Sequence, residues 1–322
     1  MFLSSGYFRT MMDRRNNTGN IDMLSSLPDE LLIRILSLLP TTKDAAIMCL
    51  VSKKMKCLFS WITTLDLDDS PISHCSQHPY AIERFSDYKM FVDSLLNSYQ
   101  SPYLSRFRLR VGANFAARYF HGDKTHFWKR DDCFPEIKST QINAWISFPL
   151  TRCGLRELDL RIQDLDFVEE EDMLSLFPNL TSLELGCDVY TTWDKLLLSF
   201  LNGSPVLETL IFPEGVIVCH DTNHFAYGKE VVELQQEFFR TTQEVIPMCC
   251  RFHLKRIVIK NYFGNEFEID MIQFLLTHAL VLKELVVHRS VKTWHPIVDQ
   301  KLLKTTLKKL PRASVSCSIQ VH

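Results

Sequence analysis

The sequence predicts an α/β chain in which three short helices precede an elongated body of parallel strands joined by helical crossovers. Three observations predict this architecture. Residues 23–62 hold apolar positions at helical spacing, divided by prolines and capping residues. From Ile62 onward, the pattern apolar-x-x-apolar-x-apolar recurs seven times. Amphipathic stretches long enough for a helix separate several of those copies. With 322 residues and 46 % hydrophobic content, the chain exceeds what one compact domain needs and can bury a sizeable core.

The first helix is read from LSSLPDELLIRILSLLP, where Leu27, Leu31, Leu32, Ile35, Leu38 and Leu39 fall on one helical face. Pro28 suits the first turn, where its missing N–H costs nothing, and Asp29 and Glu30 sit where the helix dipole favours anions. Pro40 stops the helix. Thr41, Thr42 and Asp44 then give a capping-box-like start to a second helix over Ala45 to Val51. Ser52 caps a third, in which Met55, Leu58, Phe59 and Ile62 share a face. Three short helices in about 40 residues cannot enclose all this apolar surface. The surplus points either to the rest of the chain or to a partner.

The residue identities carry more than their spacing. Leu27-Pro28-Asp29-Glu30-Leu31-Leu32, Ile35-Leu36-Ser37-Leu38-Leu39-Pro40, Thr42-Lys43-Asp44-Ala45-Ala46 and Leu50-Val51-Ser52-Lys53-Lys54 closely resemble the F-box of plant F-box proteins. The resemblance implies docking on a Skp-type adaptor, and through it on a cullin scaffold. It places Leu27, Pro28, Leu31, Ile35, Leu39, Pro40, Leu50, Val51 and Ser52 at or behind that interface, with Met55 among them. The family usually carries Trp after the basic pair and again near Phe59. Met55 in the first of these positions predicts adaptor binding weakened by about 1–2 kcal/mol, on large-to-small arithmetic at an interface anchor.

The strand repeats are Ile62-Leu65-Leu67, Leu104-Phe107-Leu109, Leu155-Leu158-Leu160, Leu180-Leu183-Leu185, Leu207-Leu210-Phe212, Leu254-Ile257-Ile259 and Leu282-Leu285-Val287. Their first members are spaced by 42, 51, 25, 27, 47 and 28 residues. The short steps match leucine-rich repeats, and the long ones match two units or one with an insertion. Crossover helices are read over Asp87 to Tyr99, Ile142 to Phe148, Trp193 to Leu201 and Asp270 to Leu276. A further helix-like run lies near Val231 to Phe239, and 110–140 carries no legible strand. Such repeats stack into a solenoid whose apolar positions fill one core, while the intervening residues line the concave side.

That alternation assigns Thr64, Asp66, Asp68, Arg106, Arg108, Arg110, Glu157, Asp159, Arg161, Ser182, Glu184, Thr209, Ile211, Arg256, Val258, Lys260, Glu284, Val286 and His288 to the concave face. Its charged members Arg106, Arg108, Arg110, Glu157, Asp159, Arg161, Glu184, Arg256 and Lys260 are the candidates for contact with a protein substrate. The triple Arg106-Arg108-Arg110 is the most focused patch and suits an acidic or phosphorylated partner. Further on, Phe252-His253-Leu254-Lys255, a helix holding Ile272, Leu275 and Leu276, Val281-Leu282-Lys283-Glu284-Leu285, and Leu310-Pro311-Arg312-Ala313-Ser314 with Cys317 resemble the FBD module of plant F-box proteins. The domains read in this way are a disordered extension over 1–22, an F-box over 23–70, leucine-rich repeats over 71–248 and an FBD region over 249–322.

Other classes of function find less support. A net charge of -2 gives no whole-chain attraction to nucleic acid or to anionic membranes. No run of about 18 apolar residues exists, and the first residues lack the continuous apolar core of a secretory signal. Ten cysteines without a CxxC pair fit a reducing compartment, cytoplasm or nucleus, where the Asn-x-Ser/Thr triplets at Asn16, Asn179 and Asn202 stay unmodified. The groups His74, Cys75, His78 and Cys219, His220, His224 lack the paired spacing of a zinc site. Lys301, Lys304, Lys308, Lys309 and Arg312 read as the wet face of a terminal amphipathic helix, with no aromatic interleaving for nucleic acid. No phosphate-binding loop, nucleophile elbow or HExxH is present, and neither cofactor nor metal is expected. The expectation is therefore a non-enzymatic substrate receptor of a ubiquitin ligase. The alternative is a leucine-rich-repeat interaction protein with a degenerate F-box that acts outside the ligase.

Overall fold

The computed structural model describes residues 24, 26–68, 78–111, 139–163, 177–188, 193–216, 246–262, 264, 266–290 and 299–322. The extension over 1–22, the helix-like run near Val231 to Phe239, most of 110–140 and both histidine–cysteine groups, apart from the backbone of His78, lie outside them.

Three short helices open the described residues: α1 (Asp29–Ser37), α2 (Thr42–Met48) and α3 (Lys53–Leu58). The caps sit where the sequence puts them. The Thr41 hydroxyl accepts from the Asp44 N–H at 3.1 Å, and the Ser52 hydroxyl accepts from the Met55 N–H at 3.1 Å. α2 begins and ends earlier than its apolar run, because the Thr41 cap fixes its start. Lys54 ties α3 back to the entry of α1 by donating to the Leu27 carbonyl at 2.7 Å and pairing with Asp29 at 3.0 Å.

Beyond a 3-10 turn at Phe59–Trp61 come β1 (Thr64–Asp68), α4 (His78–Ser98), β2 (Arg106–Val111), α5 (Ser139–Ser147), β3 (Glu157–Gln163), β4 (Ser182–Asp188), α6 (Trp193–Gly203), β5 (Thr209–Phe212), α7 (Met248–Phe252), β6 (Arg256–Tyr262), α8 (Glu266–His278), β7 (Glu284–Arg289), α9 (Gln300–Lys309) and β8 (Ser318–Val321). The strands form one eight-stranded sheet, parallel at each pairing and in chain order from β1 to β8. Register follows the sequence pattern. Leu65, Phe107, Leu158, Leu183, Leu210, Ile257, Leu285 and Ile319 are successive partners across the sheet. At the entry of β2 to β8 one backbone contact repeats, in which the N–H groups of Ser105, Arg156, Thr181, Glu208, Lys255, Lys283 and Ser318 bond the carbonyls of Thr63, Ser105, Arg156, Thr181, Glu208, Lys255 and Lys283.

The first member of every repeat is buried, and the other two point to one side. There they share a single apolar core with Val92, Leu95, Trp145, Leu197, Phe200, Ile272, Leu275 and Leu307 of the crossover helices. A parallel strand buries its apolar face because the crossover returns a helix onto it. The eighth strand is not legible in the sequence, because Ser316 stands where the other repeats have Leu or Ile. The strict inside–outside alternation also fails on β6 and β7, where Val258 and Val286 are buried although they lie on the opposite side from the helices.

The three N-terminal helices belong to the same core, through Leu32, Leu36, Ala45 and Met55. They also close the outer edge of β1. The Asp66 N–H donates to Thr42 Oγ1 at 2.6 Å, the Thr63 N–H donates to Ser37 Oγ at 2.9 Å, and the Thr64 hydroxyl donates to the Ser37 carbonyl. An uncovered edge strand would present unpaired amides to other chains. On the far side of β1, the Tyr99 hydroxyl at the end of α4 donates to the Ile62 carbonyl at 2.6 Å. Replacing the buried Thr42 hydroxyl by a methyl group leaves the Asp66 N–H without an acceptor. Thr42→Val is expected to lower unfolding free energy by about 1–3 kcal/mol, read as a lower urea midpoint at unchanged m-value.

Candidate functional site

Two surfaces collect the residues singled out in the sequence. The first is the outward side of the helical unit. Leu32, Leu36 and Ser37 of α1 face inward, so the apolar residues of this helix are divided between two sides instead of lying on one. Leu31 and Leu38 are exposed, Leu38 to 75 %. Leu27, Ile35, Leu39 and Leu50 are half-buried, Pro28 and Pro40 exposed, and Ser52 half-buried with its hydroxyl occupied as the α3 cap. Val51 is 56 % exposed, and Ile47 of α2 and Trp61 of the 3-10 turn are exposed as well. A small helical unit that keeps so many large apolar side chains in water presents a patch of the kind that marks a protein contact.

Met55 departs from expectation. It is 0 % exposed and lies inside the core that joins α3 to the sheet. Its thioether therefore replaces no outward anchor, and the weakening of an interface predicted from it does not follow. A Trp at this position would overpack a filled core. Phe59 likewise packs against the core, and the exposed aromatic residue of this turn is Trp61. Sequence reasoning missed Leu38, Ile47 and Trp61 as surface residues because the phase of each helix is set by tertiary packing that spacing alone does not show.

The second surface is the sheet side opposite the helices. The strand register puts Asp66, Arg108, Asp159 and Glu184 in one row and Asp68, Arg110 and Arg161 in the next. Acid and base thus meet across adjacent strands. Arg108 bonds Asp66 at 2.7 Å and Asp159 at 2.8 Å. Arg110 bonds Asp159 at 3.0 Å and pairs with Asp68 at 3.5 Å. Arg161 bonds Glu184 and reaches Glu214 at 3.7 Å. Gly186 makes room for it, since a Cβ there would meet Arg161 Cγ at 3.0 Å and Pro213 Cγ at 2.9 Å. Burial pushes the Asp66 carboxyl above its ordinary value despite the nearby Arg108. For Arg108, burial works downward, but the carboxylates of Asp66 and Asp159 prevail and hold it raised.

Arg108 and Arg110 are consequently neutralised within the sheet and do not offer free positive charge. Arg106 is more open and pairs with Glu157 at 3.4 Å. Arg256 pairs with Glu284 at 2.8 Å, while Lys260 is exposed. Among the described residues, no three histidine, cysteine, aspartate or glutamate side chains converge as metal ligands.

Comparison with known proteins matches both ends of this arrangement. The sequence model of the F-box domain matches residues 24–64, which hold α1 to α3 and the start of β1, and that of FBD matches residues 243–287, which hold α7, β6, α8 and most of β7. This chain carries an F-box and an FBD. Similar proteins of Arabidopsis thaliana include an FBD-associated F-box protein, 27 % identical over 70 % of this chain and 53 % of its own length. Another is an F-box/LRR-repeat protein, 30 % identical over 61 % of this chain and 51 % of its own. An F-box protein is 31 % identical over 59 % of this chain and 34 % of its own. The chain therefore spans about half the length, or less, of these curated relatives.

Two substitutions separate core from surface in the F-box. Met55→Ala is expected to cost about 2–4 kcal/mol by emptying a filled site, while Leu31→Ala stays within about 0.5 kcal/mol; urea titration compares them. On the sheet, Asp159→Ala removes the carboxylate that Arg108 and Arg110 share, leaving each with one acidic partner, and is expected to cost roughly 2 kcal/mol. Thermal and urea unfolding of that variant give the same comparison.

Proposed function

We propose that this chain is a substrate-recognition adaptor of an SCF-type cullin–RING ubiquitin ligase. Its F-box docks on a Skp-type adaptor that bridges to the cullin, and its sheet holds the protein substrate. The observation that carries this reading is the exposed apolar surface of Leu31, Leu38, Ile47, Val51 and Trp61 on a unit whose inner side is already occupied by β1. Having no use inside the chain, that surface fits an interface core of large apolar anchors. The names of the Arabidopsis relatives support the same assignment.

The sheet is read as a leucine-rich-repeat solenoid. Eight parallel strands in chain order, seven of them entered through the same backbone contact, support it together with the described crossover helices. Substrate meets the face opposite the helices. Arg106, Glu157, Arg256 and Lys260 are its most open charged groups and make the first contacts, while Arg108, Arg110, Asp159, Arg161 and Glu184 form a fixed charged floor. Ligase chemistry then belongs to the bound complex, and this chain, in cytoplasm or nucleus, contributes effective concentration by holding substrate near the charged conjugating enzyme. A degenerate F-box acting outside the ligase rests on Met55, and a buried Met55 gives that reading no support.

Binding of the full chain to a purified Skp-type adaptor tests the reading. Leu31→Ala and Val51→Ala are each expected to weaken the complex about ten- to hundredfold, corresponding to about 1–3 kcal/mol at an anchor, with the urea midpoint unchanged. Absence of binding by the folded wild-type chain would defeat the proposal.

A further inference from the structure

Arg108 and Arg110 of the triple that the sequence brings forward are neutralised within the sheet, whereas α9 carries a run of exposed lysines. Residues 299–322 hold Lys301, Lys304, Lys308, Lys309 and Arg312 against the single carboxylate Asp299, in a chain of net charge -2. Lys301, Lys304 and Lys308 stand three and four residues apart, which makes them one stripe along α9. All three are exposed, and none forms an ion pair among the described residues, whereas each arginine of β2 has a carboxylate partner.

Helix electrostatics do not account for the stripe. The dipole rewards Lys308 and Lys309 in the last turn, but Lys301 lies in the first turn, where a cation is unfavourable. The helix that carries the stripe is held firmly. Asp299 caps it by accepting from the Leu302 N–H at 2.7 Å, Gln300 Nε2 donates to the Val321 carbonyl at 2.7 Å, and Leu303 and Leu307 are buried. Arg312 closes the far end by donating to the Lys308 carbonyl at 2.8 Å. Little conformational freedom in the backbone of this helix remains to be lost on binding. Two large apolar side chains accompany the charge. Leu302, exposed to 66 %, stands on α9 about a quarter-turn round from Lys301, and Val315, three residues past Arg312, is 96 % exposed.

We propose that α9 and the turn after it form a docking surface for an acidic segment of a partner protein. Its carboxylates align with Lys301, Lys304 and Lys308, and an apolar side chain of the partner covers Leu302. Charge complementarity selects the occupant, and the exposed Leu302 and Val315 favour a protein over a nucleic acid. This surface lies outside the F-box and away from the open sheet face, so the proposal stands independently of ligase membership.

The test is fluorescence anisotropy with the full chain and labelled helical peptides bearing glutamates at three- and four-residue spacing beside a leucine. Wild-type chain is expected to bind the glutamate peptide, more weakly as salt rises, and to leave a glutamine version of the peptide unbound. The triple change Lys301→Glu, Lys304→Glu and Lys308→Glu is expected to weaken binding at least about tenfold, and Leu302→Ser about threefold. The acid gained at 301 in the first turn offsets the one at 308 in the last, and an unchanged urea midpoint keeps loss of binding distinct from loss of fold. Equal binding by the triple variant, no binding by wild type, or tighter binding to duplex DNA or phosphatidylserine vesicles than to the glutamate peptide would each overturn the proposal.

Discussion

Strand β1 has to be satisfied along both edges, and the way this is done ties the molecule together. One edge takes the parallel ladder to β2. The other receives Thr42 Oγ1 and Ser37 Oγ, so side chains of the helical unit stand where another strand would otherwise be needed. A loosely tethered F-box would leave the backbone of β1 open to water or to other chains. Here the F-box core and the sheet core are continuous. Asp66 shows the coupling in one residue, since its N–H bonds the F-box and its carboxylate bonds Arg108 on the sheet face.

This arrangement assigns the surfaces their work. The inner side of the F-box is filled by β1 and Met55, while Leu31, Leu38, Ile47, Val51 and Trp61 stay exposed. On the sheet, three arginines shared among five carboxylates fix neighbouring strands to one another, while Arg106, Glu157, Arg256 and Lys260 stay more open. Burial of ionic groups tolerates little loss: with side chains at 9–25 % exposure across Arg108, Arg110, Arg161, Asp66, Asp68 and Asp159, removing one partner leaves another uncompensated.

Much of this is legible in the sequence. Seven strands stand out because each repeat sets three apolar residues at the same offsets, and the caps at Thr41 and Ser52 stand out because short polar side chains ahead of apolar runs have one strong local use. The ion-pair ladder is within reach as well. Asp66, Arg108 and Asp159 occupy one repeat position, and aligning the repeats is enough to place acid beside base. Reading each strand separately hides this and makes the arginines look available. Other features have no mark in the sequence. Ser316 lacks the apolar character of an eighth repeat, Val258 and Val286 are buried at positions that alternation assigns outward, and the phase that puts Met55 inside comes from the sheet it packs on.

The central claim is that the F-box is anchored to the sheet through its inner side and keeps its outer side for a Skp-type adaptor. Hydrogen–deuterium exchange of the full chain, with and without that adaptor, tests it directly. The account predicts that the amides of Thr63 and Asp66 are strongly protected in the free chain, and that adding the adaptor slows exchange over α1, α3 and the Phe59–Trp61 turn while the strands from β2 onward keep their rates. Rapid exchange at Thr63 and Asp66 in the free chain, or adaptor-induced protection confined to the sheet, would contradict it.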